Sequence, residues 1–499
     1  MRINTSPLEN LKTGKNIFVP LFKNKPLTKE EFFSYTPDWF RKLTPAFEKE
    51  FEGEEGEIKT FHSTDAKQTI TLFGLGEKDK FNQRKLQTIA RRMARHAKNG
   101  KIEELSIILR NDFGDTKNTS SLFATNILAA NFEFNKYKEK PKNGWPEIKK
   151  VLLVVDKKDT AEAKTGLTRG VIIGEETNFC RELANTPGGD ITPQKLAEEA
   201  KKTAGQNKIS IKSFDEKEIQ KIGMGGILGV SKGSTEKPRF IILEYLKGPK
   251  EQKPLVFVGK GVTFDTGGLS LKPEQYMYEM HMDMSGGAAV IHGMAAIARL
   301  NLPINAIGII PAVENMPSGS SFRPGDILKS LSGKTIEVLN TDAEGRIILA
   351  DALVYALRYK PGFILDLATL TGAAHVALGN YCSALFTNQP KLQEKLIEIG
   401  ENSGDYVWPL PLWDEYLNDI KGTFADLANT GKNDRYGGAT HGAKFLEQFV
   451  DNTPWAHLDI APRMTTNEHD HLAKGASGVG VRYIVELAKN YKDFSGSLR

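Results

Sequence analysis

Between residues 340 and 346 the chain reads Asn-Thr-Asp-Ala-Glu-Gly-Arg, which places two carboxylates, Asp342 and Glu344, and the guanidinium of Arg346 within seven residues. Carboxylates grouped this closely suit metal cations, and an arginine at the start of a helix attracts an anion. A second run, Gly-Lys-Gly-Val-Thr-Phe-Asp-Thr-Gly-Gly at 259–268, supplies Lys260 and Asp265, and Lys272 and Asp283 follow it. Four acids converging on one crevice (Asp265, Asp283, Asp342, Glu344) repel one another unless cations neutralise them. Two divalent metal ions answer that charge. Ions about 3.5–4 Å apart stabilise both the attacking and the leaving oxygen in hydrolysis. Oxygen donors suit Mg²⁺ or Mn²⁺ equally, whereas Lys260, whose ammonium two dications would disfavour, becomes a neutral amine ligand and shifts the balance toward Zn²⁺. Arg346 can hold a small oxyanion that accepts a proton, and Lys272, if it keeps its charge, can face the oxyanion of an attacked carbonyl. Each residue alone reads as a cap or a surface group. Together they make a reaction centre.

Strand ends must deliver these side chains. Residues 335–339 read as a short strand before the acidic turn, and 347–359 are apolar at helical spacing until Pro361 and Gly362 stop them. The strand at 255–258 runs into the Lys260 and Asp265 turn, and Asp283 precedes a helix over 285–300 whose Gly286, Gly287, Ala288 and Ala289 permit close packing. Strands at 363–367 and 456–460 end in Ala-Thr-Leu-Thr-Gly at 368–372 and Ala-Pro-Arg-Met at 461–464. Ligands of open α/β sheets bind at such carboxyl ends, so all four ends are expected to face one crevice. With further strands at 240–245 and 304–310, the pattern predicts an α/β fold. Its C-terminal catalytic domain, 166–499, has a mostly parallel central sheet with helices on both faces and begins with a linker helix over about 160–183. A smaller α/β N-terminal domain, 1–165, precedes it, with strands at 69–73, 105–109 and 151–155 and a helix at 84–97.

A length of 499 residues predicts two or three domains. Lys and Arg number 67 against 62 Asp and Glu, and a surplus of +5 over this length gives no support for nucleic-acid binding. Cys180 and Cys382 are the only cysteines and read as packed thiols, and the first residues lack the apolar run of a signal peptide, so a reducing, cytoplasmic location is expected. No window approaches 18 apolar residues, so no membrane span is expected. His469 and His471 form the closest histidine pair, in a polar loop without the spacing of a helical zinc site.

With these residues in place, the chain resembles the leucyl aminopeptidase, or cytosol aminopeptidase, family, from about residue 175 to the end. The run at 340–346 matches that family's signature, and the Lys260, Asp265, Lys272 and Asp283 spacing fits it. Further matching stretches are Asp366 to Gly372, Trp-Pro-Leu-Pro-Leu at 408–412, Arg-Tyr-Gly-Gly at 435–438, His-Leu-Asp-Ile-Ala at 457–461 and Lys-Gly-Ala-Ser-Gly at 474–478. The resemblance implies a tightly held metal on Lys260, Asp265, Asp283 and Glu344, and an exchangeable one on Asp265, Asp342 and Glu344, the two shared acids bridging. It implies bicarbonate on Arg346 as general base, Lys272 on the tetrahedral intermediate, and Met280, Thr369, Leu370, Gly372, Ala461 and Met464 around the first side chain of a peptide substrate, with leucine and similar apolar residues preferred. A homohexamer is implied as well. His281 and Met282 beside Asp283, and His375, depart from the family's commoner residues and bear on packing behind the site.

Two other readings use the same acids. A two-metal phosphoesterase would clamp phosphate with them, and a non-catalytic binding protein would retain the site without turnover.

Overall fold

The computed structural model describes residues 1–13, 15–23, 50–65, 67–433 and 436–496. The described residues form two compact units, Met1–Asn178 with Asn467–Ala473, and Phe179–Thr466 with Lys474–Arg499. The helix Thr160–Asn185 runs through the division, so the boundary expected near residue 165 lies within a continuous helix. The loop carrying His469 and His471 belongs to the first unit.

In the first unit, strands β1 (Arg2–Pro7), β2 (Asn16–Leu21), β3 (Ile58–His62), β4 (Thr69–Gly74), β5 (Glu104–Ile108) and β6 (Lys150–Val155) lie in the order β1-β6-β5-β2-β4-β3. All pair in parallel except β3, which runs antiparallel to β4. Strand β2 explains its own apolar run: Ile17, Val19 and Leu21 enter one core while Phe18 enters the other, with the helices Gln83–Asn99 and Thr116–Asn131.

The second unit contributes β7 (Ser210–Phe214), β8 (Arg239–Leu246), β9 (Leu255–Gly259), β10 (Gly261–Asp265), β11 (Asn305–Asn315), β12 (Ile327–Lys329), β13 (Thr335–Glu337), β14 (Phe363–Ala368), β15 (Ser383–Thr387), β16 (Val407–Pro409), β17 (Leu427–Ala428) and β18 (Trp455–Asp459). The main sheet has the order β16-β15-β18-β14-β9-β11-β8-β7, with β10 paired to β11. Its middle, β18-β14-β9-β11, is parallel. The helices Pro193–Asn207, Ser285–Arg299 and Val481–Lys489 cover one face, and Gly225–Ser231, Gly345–Ala356 and Gly438–Glu447 the other. Every residue of β9 and β14 is buried, as double coverage requires.

One expected strand sits elsewhere. Residues 335–339 read as a strand of the main, mostly parallel sheet, but β13 stops at Glu337 and belongs to a small sheet with β12 and β17. Its Ile336 side chain still enters the core under the helix Gly345–Ala356. A three-residue apolar stretch states a preference for extended backbone and cannot name its partner. Strand β11 is also longer than expected, running on to Asn315. Among the described residues, no helix is long and apolar enough to cross a membrane.

Candidate metal centre

Strand β9 ends at Gly259 and β10 begins at Gly261, leaving Lys260 at the break between them. Its amide donates to the Leu367 carbonyl at the end of β14 (3.0 Å), and its carbonyl accepts from Gly287 in the first turn of the helix Ser285–Arg299 (2.7 Å). This pins the backbone at three elements at once. The Lys260 Nζ then lies 2.8 Å from Asp283 Oδ2 and 2.9 Å from Glu344 Oε1, and donates to the Thr369 carbonyl at 2.9 Å. A Cβ at Gly345 would stand 2.5 Å from the Lys260 side chain, so only glycine lets this lysine cross the start of that helix.

Asp265 closes β10 and turns on Gly267, whose φ of +86° suits glycine. Its Oδ1 accepts from the Gly267 amide and from Asn315 Nδ2, both at 2.9 Å. Its Oδ2 meets Lys272 Nζ at 2.9 Å, and the same ammonium lies 2.5 Å from Asp342 Oδ1. Asp283 follows a short turn, Met280–Met282, and its Oδ1 accepts from the Thr369 hydroxyl at 2.6 Å. Oxygens of Asp265, Asp342 and Glu344 all fall within 4.8 Å of one another. The five expected metal-binding residues and Lys272 are thus brought together.

Electrostatics match that crowding. Burial, reinforced by Glu344 and Asp265 against the pull of Lys260, pushes Asp283 up to about 8. Burial and the neighbouring Asp265 likewise push Asp342 up to about 7, and Glu344 is raised by the same two causes. Burial works against the Lys260 and Lys272 ammonium groups, but the carboxylates around them outweigh it and hold both above their ordinary value. Glu344 is 1% exposed, and its Oε2 is buried without accepting a hydrogen bond. Clustered oxygens whose lone pairs are unsatisfied fit a dication better than they fit a protein interior.

Arg346 stands in the first turn of the helix Gly345–Ala356, is buried, and donates from Nη1 to the Asn429 carbonyl at 2.8 Å. A Cβ at Gly442 would lie 3.4 Å from its Nη2 and 3.0 Å from the Leu370 side chain, so Arg346 and Leu370 approach one point. The expected substrate residues gather less tightly. Thr369 touches Asp283 directly. The amides of Leu370 and Ala461 both donate to Asp459 Oδ1, at 3.1 and 3.2 Å, and Gly372 opens a short helix capped by Thr371. Met280 is half-buried in the turn before Asp283, and Met464 packs at the edge of the apolar core. Arg435 lies outside the described residues.

Several buried side chains outside the expected site residues support the cluster. Asn315 Nδ2 also donates to the Thr341 carbonyl (3.0 Å), and the Thr341 hydroxyl bonds Gly267 and Ser270 across the two turns. Asn429 and Asp459 act similarly on the acidic turn and on 370–371. Thr341 and Asp459 lie within the matching stretches, whereas Asn315 and Asn429 showed only as asparagines at a strand end.

Residues 178–485 match the catalytic-domain model of the cytosol aminopeptidase family, and residues 19–141 match its N-terminal-domain model. A probable cytosol aminopeptidase of Methylobacillus flagellatus is 46% identical over 72% of this chain and 71% of its own length. The corresponding protein of Syntrophotalea carbinolica is 41% identical over 88% and 89%. Among solved structures, a mutant of tomato leucine aminopeptidase superposes with a TM-score of 0.86 at 31% identity, covering 98% of this chain and 96% of that one. The bottromycin maturation enzyme BotP, solved in complex with Mn, gives 0.83 at 28% identity, covering 96% and 99%. Matched along both units, with its carboxylates and lysines drawn into one cluster, the chain belongs to the cytosol aminopeptidase family and is a metal-dependent aminopeptidase.

Proposed function

We propose that this aminopeptidase removes the N-terminal residue of peptides, preferring leucine and other apolar residues, with two divalent ions and a bicarbonate as general base. Lys260, Asp265, Asp283 and Glu344 would hold one ion and Asp265, Asp342 and Glu344 the other, with Asp265 and Glu344 common to both sets. Zn²⁺ or Mn²⁺ fits this mixed set of oxygens and one amine, with Mg²⁺ a weaker match to the amine. The observation that carries the assignment is the approach of Asp265, Asp342 and Glu344 to within 4.8 Å, with Glu344 Oε2 buried and accepting no hydrogen bond. When bound, the ions lower the pKa of water and polarise a carbonyl. The surrounding carboxylates favour a charged Lys260, so an ion taken up there must displace its proton.

Arg346, in the first turn of the helix Gly345–Ala356, would hold the bicarbonate, which would supply the general base of the reaction. Lys272 keeps its charge and stabilises the oxyanion on the attacked carbonyl. Met280, Thr369, Leu370, Gly372, Ala461 and Met464 surround the substrate's first side chain. A homohexamer belongs to the same proposal, as does a cytosolic location, the latter in line with relatives named cytosol aminopeptidase. Membership of an aminopeptidase family replaces the phosphoesterase and non-catalytic alternatives.

The test is release of p-nitroaniline from leucyl-p-nitroanilide, abolished by a chelator and restored by Mn²⁺ or Zn²⁺. A panel of aminoacyl amides, with and without bicarbonate, reads side-chain preference and the base. Metal-loaded protein that cleaves no aminoacyl amide would sink the proposal.

A further inference from the structure

Strand β17 pairs with β13 through Leu427 and Ala428, and the ladder continues one step as the Asn429 amide donates to the Glu337 carbonyl at 3.0 Å. There β13 ends, and the Asn429 side chain takes over. Its Oδ1 accepts from the amides of Leu339 (2.8 Å) and Asn340 (3.4 Å), and its Nδ2 donates to the carbonyls of Asn340 (2.6 Å) and Ala343 (3.3 Å). Its own carbonyl accepts from Arg346 Nη1 at 2.8 Å. Asn429 is fully buried, and each of these bonds goes to residues 337–346. The carbonyls held by Nδ2 flank Asp342 on either side. Only a side-chain amide offers an acceptor and two donors in one plane, so Asp, Leu or Ala cannot reproduce the grip.

The other half of the cluster is held differently. Thr369 supports Asp283 through its hydroxyl and Lys260 through its carbonyl, with no bond to Asn429. We infer that the Asn429 side chain is a positioning group that sets the Asp342 side of the metal pair by clamping the backbone of the ligand turn on either side of Asp342, while Glu344, whose carbonyl accepts from the Ile347 and Ile348 amides, and the Lys260 and Asp283 side are held without it. This rests on the ligand assignment proposed above, and its signature is selectivity. Loss of the amide loosens one ion of the two, where a residue needed only for the fold would affect both alike.

The experiment is a Mn²⁺ titration of the full chain followed by electron paramagnetic resonance, alongside thermal melting. The unaltered protein should bind two Mn²⁺ with different affinities; if it does not, the ligand assignment itself is wrong. In Asn429→Ala the weaker site should lose about tenfold or more in affinity, as when outer supports of metal ligands are removed, with the tighter site unchanged. Asn429→Asp keeps the size and the Oδ1 acceptor but turns an oxygen toward the Asn340 and Ala343 carbonyls, and should give the same selective loss. Equal weakening of both sites, no change in a folded variant, or failure of both variants to fold would each overturn the inference.

Discussion

Asn315 Nδ2 donates to Asp265 Oδ1 at 2.9 Å, and the same amide reaches the Thr341 carbonyl at 3.0 Å, so one buried side chain joins the turn that carries Asp265 to the turn that carries Asp342 and Glu344. Asn315→Ala leaves Asp265 Oδ1 with the Gly267 amide alone and removes the tie to Thr341. A fall in kcat of about 10- to 100-fold is expected, with part of the metal lost. Steady-state rates and metal content on the same preparation check this, and full activity would show that the turns hold without the amide.

Glu344→Ala removes the acid whose two oxygens are both buried. At least one of the two metal equivalents should disappear, along with activity, while circular dichroism stays that of a folded protein. Elemental analysis decides. Undiminished metal content would refute the bridging assignment.

Arg346→Ala leaves the carboxylate cluster in place. The expected outcome is a loss in kcat of about a hundredfold or more, the usual weight of a general base, with metal content unchanged. An unchanged rate means the anion on Arg346 is not the base.

Asp351 offers a test remote from the chemistry. It is buried in the helix Gly345–Ala356, accepts from the amides of Leu331 (2.7 Å) and Ile227 (3.0 Å), and is pushed by burial up to about 7 despite those bonds. A raised folded-state value favours the protonated form, so its contribution to stability is fully present below the unfolded value of about 4 and lost as pH rises to about 7. Asp351→Asn lacks that titration. Melting temperatures of the two proteins, compared from pH 4.5 to 7.5, should show the unaltered chain losing ground to the variant as pH rises. Parallel curves would contradict the shift.

Much of this site was legible because its members lie in two short runs. Lys260 with Asp265, and Asp342 with Glu344 and Arg346, already pair unlike charges at turns next to apolar strands, and metal chemistry is the economical reason for such residues there. The supports were not legible. Asn315, Asn429 and Asp459 act on residues far away in the chain, and an isolated asparagine or aspartate at a strand end is most simply a turn residue. Strand partners were hidden for a similar reason: β13 has the same local preference whether it joins the main sheet or pairs with β12 and β17.

By itself, then, the sequence determined the α/β alternation, the identities of the acids and lysines that cluster and the kind of chemistry they suit, because hydrophobic period and side-chain charge are local properties. The tertiary structure decided which turns face one another, that Lys260 reaches Asp283 and Glu344 while Lys272 reaches Asp265 and Asp342, and that buried amides hold both turns. Those are relations between distant segments, set by packing and by the need to satisfy every buried polar group, and no single stretch of chain contains them.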